Sequence, residues 1–164
     1  MLGARCSEVT FRTPDAERVV KAMAEHGGLT IGAGTVLTSE QAERAVAADA
    51  RFVVSPGYGQ GVVDRCRELD VPVVPGIATA TELMRALRVG LDTVKLFPAA
   101  SLGGIEAVRA LAAPCPGSGS CRPVASGPPT CPPTSPTRRS SPSAAPGWRA
   151  PPTWHVATVP RTDG

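Results

Sequence analysis

"LTIGAGT", residues 29–35, is the stretch on which the architecture turns. Its apolar and β-branched residues have the character of a buried strand, and it ends on glycine and small residues. An open, doubly wound nucleotide-binding sheet places a G-x-G-x-x-G turn after its first strand. "GAGT" (32–35) does not have that pattern. Outward from here, the chain alternates in a regular way. Before it come a strand, "CSEVTFR" (6–12), and an amphipathic helix, "PDAERVVKAMAEHGG" (14–28), with Pro14 at its start and glycines past its end. After it come a helix over 39–50 with Ser39 as N-cap, a strand "FVVSPG" (52–57), and a helix "GVVDRCRELD" (61–70). The series continues with a strand "VPVVPGI" (71–77), a helix over 79–90 capped by Thr79 or Thr81, a strand "TVKLFP" (93–98), and a helix over 103–113.

Five strand–helix units in strict alternation imply a parallel sheet covered by helices. Nearly every strand is followed by small, polar or glycine-rich residues: "RT", "GT", "SPG", "PGIAT" and "FPAA". Special residues at every strand end suit a barrel, whose active site collects at the C-terminal face of its strands. The predicted fold is therefore α/β, a (β/α)8 TIM-type barrel. It is incomplete, since five units are too few to close one.

The 164 residues amount to one domain by length. Residues 1–114 contain every Leu, Ile, Phe and Met, whereas residues 115–164 contain none of these and hold 12 of the 18 prolines. A segment of that composition has little with which to offset the entropy of ordering it. The expected organisation is a partial barrel over 1–114 and a Pro/Ser/Arg-rich, disordered tail over 115–164. The first part carries 12 Lys/Arg against 13 Asp/Glu and the tail 5 against 1, so the basic balance belongs to the tail. Nothing in the near-neutral part suggests a nucleic-acid partner. No run of 18 apolar residues and no leader pattern is present, so a cytoplasmic protein without a membrane partner is expected. The five cysteines are irregularly spaced and read as reduced thiols, with neither a metal site nor a disulfide framework.

The chain has only two lysines, and one of them, Lys95, lies within the apolar strand "TVKLFP". A lysine there must snorkel, pair with an acid such as Glu8, or give up its charge. A free lysine has a pKa near ~10.4, so fewer than roughly one amine in 2,000 is neutral at pH 7. An apolar strand raises that fraction, and a neutral amine can attack a ketone to form an imine, an electron sink for C–C cleavage. Such a reaction also needs a proton shuttle. Glu8, Thr10 and Arg12 share a parity on their strand, and Glu8 is the best candidate, with pairing to Arg12 or Lys95 as its bland alternative. Arg12 suits an anionic end of a substrate, or else is a solvated surface residue. His26, at a helix end, reads as a favourable C-terminal charge, and the helix charges Glu17, Arg18, Lys21, Glu25, Asp64, Arg65, Arg67 and Glu68 read as solvated faces.

The same residues carry a family likeness. "EVTFRT" (8–13), "GAGTVL" (32–37), "SPG" (55–57), "PGIAT" (75–79) and "KLFPA" (95–99) resemble, in order and spacing, the 2-dehydro-3-deoxy-phosphogluconate aldolases, which also act as 4-hydroxy-2-oxoglutarate aldolases. The resemblance implies a homotrimeric barrel enzyme that acts on a small keto acid, releases pyruvate through a lysine imine, and needs no metal or other cofactor. It makes Lys95 the imine-forming residue and Glu8 the proton shuttle. Arg12, Thr35, Pro75 and Gly76 become substrate contacts, with Phe97 packing near the pyruvate end.

The chain departs from the family pattern in two places. Only seven residues precede Glu8, where the family has another strand–helix unit, and after residue 114 the Pro-rich tail stands where the family has further strands. Back-translated with GC-rich codons and shifted by two bases, the tail can read as family-like sequence that includes "PTGGI" and "GGSW". A frameshift is therefore expected at the start of the tail. Two rival expectations follow, an inactive fragment of such an aldolase and a binding module that acts through a polyproline tail.

Overall fold

The structure, a computed structural model, describes residues 6–113 and the backbone of 122–125. It contains strands β1 (Cys6–Thr10), β2 (Thr30–Gly34), β3 (Phe52–Val54), β4 (Val73–Val74), β5 (Gly76–Ile77), β6 (Thr93–Leu96) and β7 (Arg122–Ala125). Between them lie helices α1 (Ala16–His26), α2 (Ser39–Ala47), α3 (Gln60–Glu68), α4 (Ala80–Arg88) and α5 (Gly104–Ala112), the last preceded by a 3-10 turn over Ala100–Leu102. All strand pairings are parallel, in the orders β1-β2-β3-β4 and β5-β6-β7. This is the expected α/β architecture, a barrel that is not closed. Strand β7 lies inside the segment assigned to the Pro-rich tail.

The strand expected over 71–77 resolves into β4 and β5 with Pro75 between them. Proline has no N–H to give the ladder, so pairing lapses for one residue. The connection survives on either side: Ser55 N–H donates to the Val74 carbonyl (3.2 Å) and Gly76 N–H to the Ser55 carbonyl (2.9 Å). On the far side, Lys95 N–H donates to the Pro75 carbonyl at 2.9 Å. The two sheets therefore meet at one interrupted strand.

Register separates the two faces of the sheet. One face carries Val9, Ala33, Val53 and Val73, in line across four strands, and beyond Pro75 continues with Ile77 and Leu96. Ala33, Val53 and Leu96 are fully buried, and this face packs under helix residues such as Val20, Ala42, Ala45, Val63, Leu83 and Ala86. Small residues at 42, 45 and 86 let the helices approach the sheet closely. The opposite face carries Glu8, Gly32 and Phe52 in one row, Thr10, Gly34, Val54 and Val74 in the next, and Gly76 beside Lys95. In a barrel that face is the lumen.

Local signals set the helix ends, with two refinements. The N-cap of α2 is Thr38 rather than Ser39: Thr38 has the extended backbone a cap requires, and its oxygen accepts from Gln41 N–H. For α4, Thr79 is the cap, in a capping box with Glu82. Hydrogen bonds from Ala78 and Thr79 hold the Glu82 carboxyl below its ordinary pKa. The reading of all cysteines as reduced thiols is corrected at Cys6, which is disulfide-bonded. Cys66 is free and buried, and burial pushes its thiol pKa up to about 12, so it behaves as an inert core residue. Among the described residues no helix is long and apolar enough to cross a membrane.

Candidate active site

The lumen face and the strand ends above it bring together most of the residues singled out from sequence. Phe11 N–H donates to the Gly34 carbonyl at 2.7 Å, which ties the end of β1 to the end of β2. Arg12 and Thr35 follow those two residues and so flank the same rim. Arg12 is exposed, and among the described residues it makes no ion pair. Thr35 has φ 59°, in the left-handed region that β-branched residues avoid. Its neighbours fix it there. Gly34 is held by Phe11, while Val36 is fully buried and donates its N–H to the Val54 carbonyl (3.2 Å). Strain over-determined in this way at a strand end is a common property of functional rims.

Pro75 and Gly76 form a buried floor beside Lys95. A Cβ on Gly76 would overlap the Pro56 carbonyl, so only glycine lets the 55–57 turn close against β5. The hydroxyl of Ser55, 2% exposed, donates to the Gly57 carbonyl at 2.8 Å and stiffens that turn. Gly76 stands opposite Lys95 in register, and the Lys95 Nζ lies 5.1 Å from the centroid of the Phe97 ring. The ring's negative face attracts the lysine cation. Phe97 itself is exposed at the mouth.

Glu8 and Lys95 are both half-buried on the lumen face. Burial pushes the Lys95 pKa down, against the opposing pull of the Glu8 charge. Burial likewise pushes the Glu8 carboxyl up, and the Lys95 charge partly offsets it. Each group feels the other, yet the two do not close into a salt bridge among the described residues. The arrangement offers an amine with an enlarged neutral fraction and a carboxyl with an enlarged protonated fraction on one face of the sheet, the pairing of a nucleophile with a proton carrier. Among the described residues no group of three His, Cys, Asp or Glu side chains is disposed to hold a metal ion.

The pattern of the family described as KDPG and KHG aldolase matches residues 1–121. The chain belongs to that family. Over 113 residues this aldolase-family chain is 52% identical to the 2-dehydro-3-deoxy-phosphogluconate aldolase of Treponema pallidum, covering 68% of this chain and 54% of the relative. It is 40% identical over 113 residues to the KHG/KDPG aldolase of Escherichia coli K12, covering 68% and 53%. Among solved structures, the KDPG aldolase of Legionella pneumophila, with pyruvate captured as a covalent carbinolamine intermediate, superposes with TM-score 0.69 at 34% identity, over 76% of this chain and 59% of that one. The 2-keto-3-deoxy-6-phosphogluconate aldolase of Zymomonas mobilis ZM4 with 3-phosphoglycerate gives TM-score 0.70 at 35% identity, over 77% and 59%. The chain spans about half the length of the curated relatives it matches.

Two residues that shape this candidate site had no individual role in the sequence analysis, Gly34 and Ser55. Both lie in motifs visible in the sequence, "GAGT" and "SPG". What each does depends on a neighbour from another strand, which no local pattern displays.

Proposed function

We propose that the chain carries the catalytic half-site of a class I aldolase that cleaves a 2-keto-3-deoxy sugar acid, or 4-hydroxy-2-oxoglutarate, to pyruvate and an aldehyde. The observation that carries this reading is the pair Lys95 and Glu8 on the lumen face, half-buried and each feeling the other's charge, with no salt bridge between them among the described residues. The carbinolamine seen in the Legionella relative supports it. The neutral Lys95 amine adds to the keto carbon, and Glu8 supplies the proton with which water leaves to give a protonated imine. Glu8 accepts the proton of the hydroxyl two carbons from the imine carbon. The C–C bond between them breaks, its electron pair moves into an enamine, and the aldehyde leaves. Glu8 returns the proton to the enamine carbon, and water hydrolyses the resulting pyruvate imine to free Lys95. Arg12 and Thr35 at the rim receive the anionic part of the substrate, the Pro75–Gly76 floor positions the imine, and Phe97 covers the methyl end of pyruvate. A homotrimer and a cytoplasmic location belong to the same reading.

The test is pyruvate release by the full chain from 2-keto-3-deoxy-6-phosphogluconate and from 4-hydroxy-2-oxoglutarate, followed by NADH oxidation with lactate dehydrogenase. Turnover of either substrate that disappears in Lys95→Met is expected. A folded chain that turns over neither, or a Lys95→Met variant with full activity, contradicts the reading.

A second reading concerns residues 115–164. The family match stops at residue 121, shortly after Leu111, the last Leu, Ile, Phe or Met in the chain. That coincidence favours a frameshifted continuation and an aldolase fragment of low activity. Resequencing the gene across the codons for residues 105–125 decides it. A one- or two-base error supports the frameshift, and a confirmed frame removes it.

A further inference from the structure

We propose that Gly34 is a positioning residue for Glu8: its missing side chain leaves the space on the lumen face that the Glu8 carboxyl group occupies. A Cβ built on Gly34 would overlap the Glu8 carboxyl, with the Glu8 Cγ only 2.7 Å away. Backbone conformation does not explain the glycine. Among the described residues the glycines with positive φ are Gly27, Gly28, Gly90, Gly103 and Gly104, and Gly34 is not one of them. Any residue could adopt its extended backbone, so the requirement is for room.

The direction of the Glu8 side chain follows from what fills the neighbouring space. In register Glu8 stands opposite Gly32, the nearest place for its carboxyl to lie. That place is taken, because a Cβ on Gly32 would overlap the Phe52 ring. Two glycines on one face thus admit two different groups, the ring of Phe52 over Gly32 and the carboxyl of Glu8 over Gly34. Glu8 must lean one strand across and two residues toward the rim, about 6–7 Å at ~3.3 Å per residue. That displacement carries the carboxyl toward the end of the sheet where a substrate would enter. Strands β2, β3, β4 and β5 contribute no charged residue. The other charged positions on the flanking strands are Lys95 on β6, Arg12 just past β1, and Arg122 on β7, opposite Thr93 in register. With Glu8 moved, Lys95 loses the charge that raises its pKa.

The catalytic meaning rests on the aldolase reading, but the test does not. The chain has only two lysines, so reductive methylation of the full chain with 13C-formaldehyde gives two dimethyl-lysine signals whose pH titrations can be followed separately by NMR. In Gly34→Ala the Lys95 midpoint should fall by as much as it does in Glu8→Ala, with Lys21 unmoved, and the double variant should show no further fall. An unchanged Lys95 midpoint in Gly34→Ala, or a fall that repeats in full on top of Glu8→Ala, overturns the proposal. Thermal melting provides the second arm. Gly34→Ala should lower the melting temperature or abolish the fold, and Glu8→Ala in the same chain should restore it, since the overlapping group is gone. A loss that persists when Glu8 is removed overturns the proposal. Both arms read out in a chain without turnover, so failure of the aldolase reading and failure of the Gly34 assignment are separate results.

Discussion

The helix-facing and lumen faces of the same parallel sheet are built on opposite rules. Toward the helices, Ile31, Ala33, Val53, Ile77, Val94 and Leu96 are at most 1% exposed and form a continuous apolar surface. Toward the lumen, the same strands present glycines, one aromatic ring, a carboxyl and an amine. The first face holds the elements together through burial, at roughly 25 cal/mol per Å² of apolar area. The second leaves two ionisable groups half-buried with no ion pair among the described residues, which disfavours the folded state. A fold of this kind draws stability from one side of its strands and chemistry from the other.

Substitutions can break that division. Ile31→Ala removes a side chain from the helix-facing core and should cost about 2–5 kcal/mol of stability, measured by denaturant unfolding, while the Lys95 titration stays in place. A Lys95 midpoint that moves with it would mean that the two faces are not independent. Gly76→Ala forces the 55–57 turn away from β5 and should cost about 1–3 kcal/mol. Because Gly76 adjoins Lys95, it should also weaken any pyruvate adduct, which Ile31→Ala should not. Thr79→Ala deletes the cap of α4 and should cost only about 1 kcal/mol.

The smallest expected effect is also the one of opposite sign. Glu8 has a raised pKa in the folded state, so the fold holds that proton more tightly and stability falls as pH rises from the unfolded to the folded value. Lys95 has a lowered pKa, so stability rises again only as pH climbs from its folded value to its unfolded one. Between those windows both charges oppose folding. The Glu8→Gln/Lys95→Met chain should therefore melt slightly higher than the wild type at neutral pH while forming no adduct. A lower melting temperature would show that the pair stabilises the fold.

The strands themselves were legible in the sequence, because the apolar, β-branched residues of "LTIGAGT" and "TVKLFP" mark them as buried strands. The strand–helix order, the capping role of Thr79 and the prominence of Lys95 and Glu8 were legible for the same reason, being local. The strand over 71–77 was read as continuous because the loss of one N–H at Pro75 matters only when its partners on β3 and β6 are known. The disulfide at Cys6 and the work of Gly32 and Gly34 were not legible. Each depends on a group brought from elsewhere, as the Phe52 ring is over Gly32 and the Glu8 carboxyl over Gly34.

The central claim is that Lys95 is half-buried so that its amine can react. Incubation of the full chain with pyruvate, reduction with borohydride and peptide mass mapping tests it directly. The account predicts a reduced pyruvate adduct at Lys95, absent from Lys21 and forming more readily as pH rises toward the lowered Lys95 midpoint. An adduct at Lys21, or at neither lysine in a chain that melts cooperatively, would contradict it.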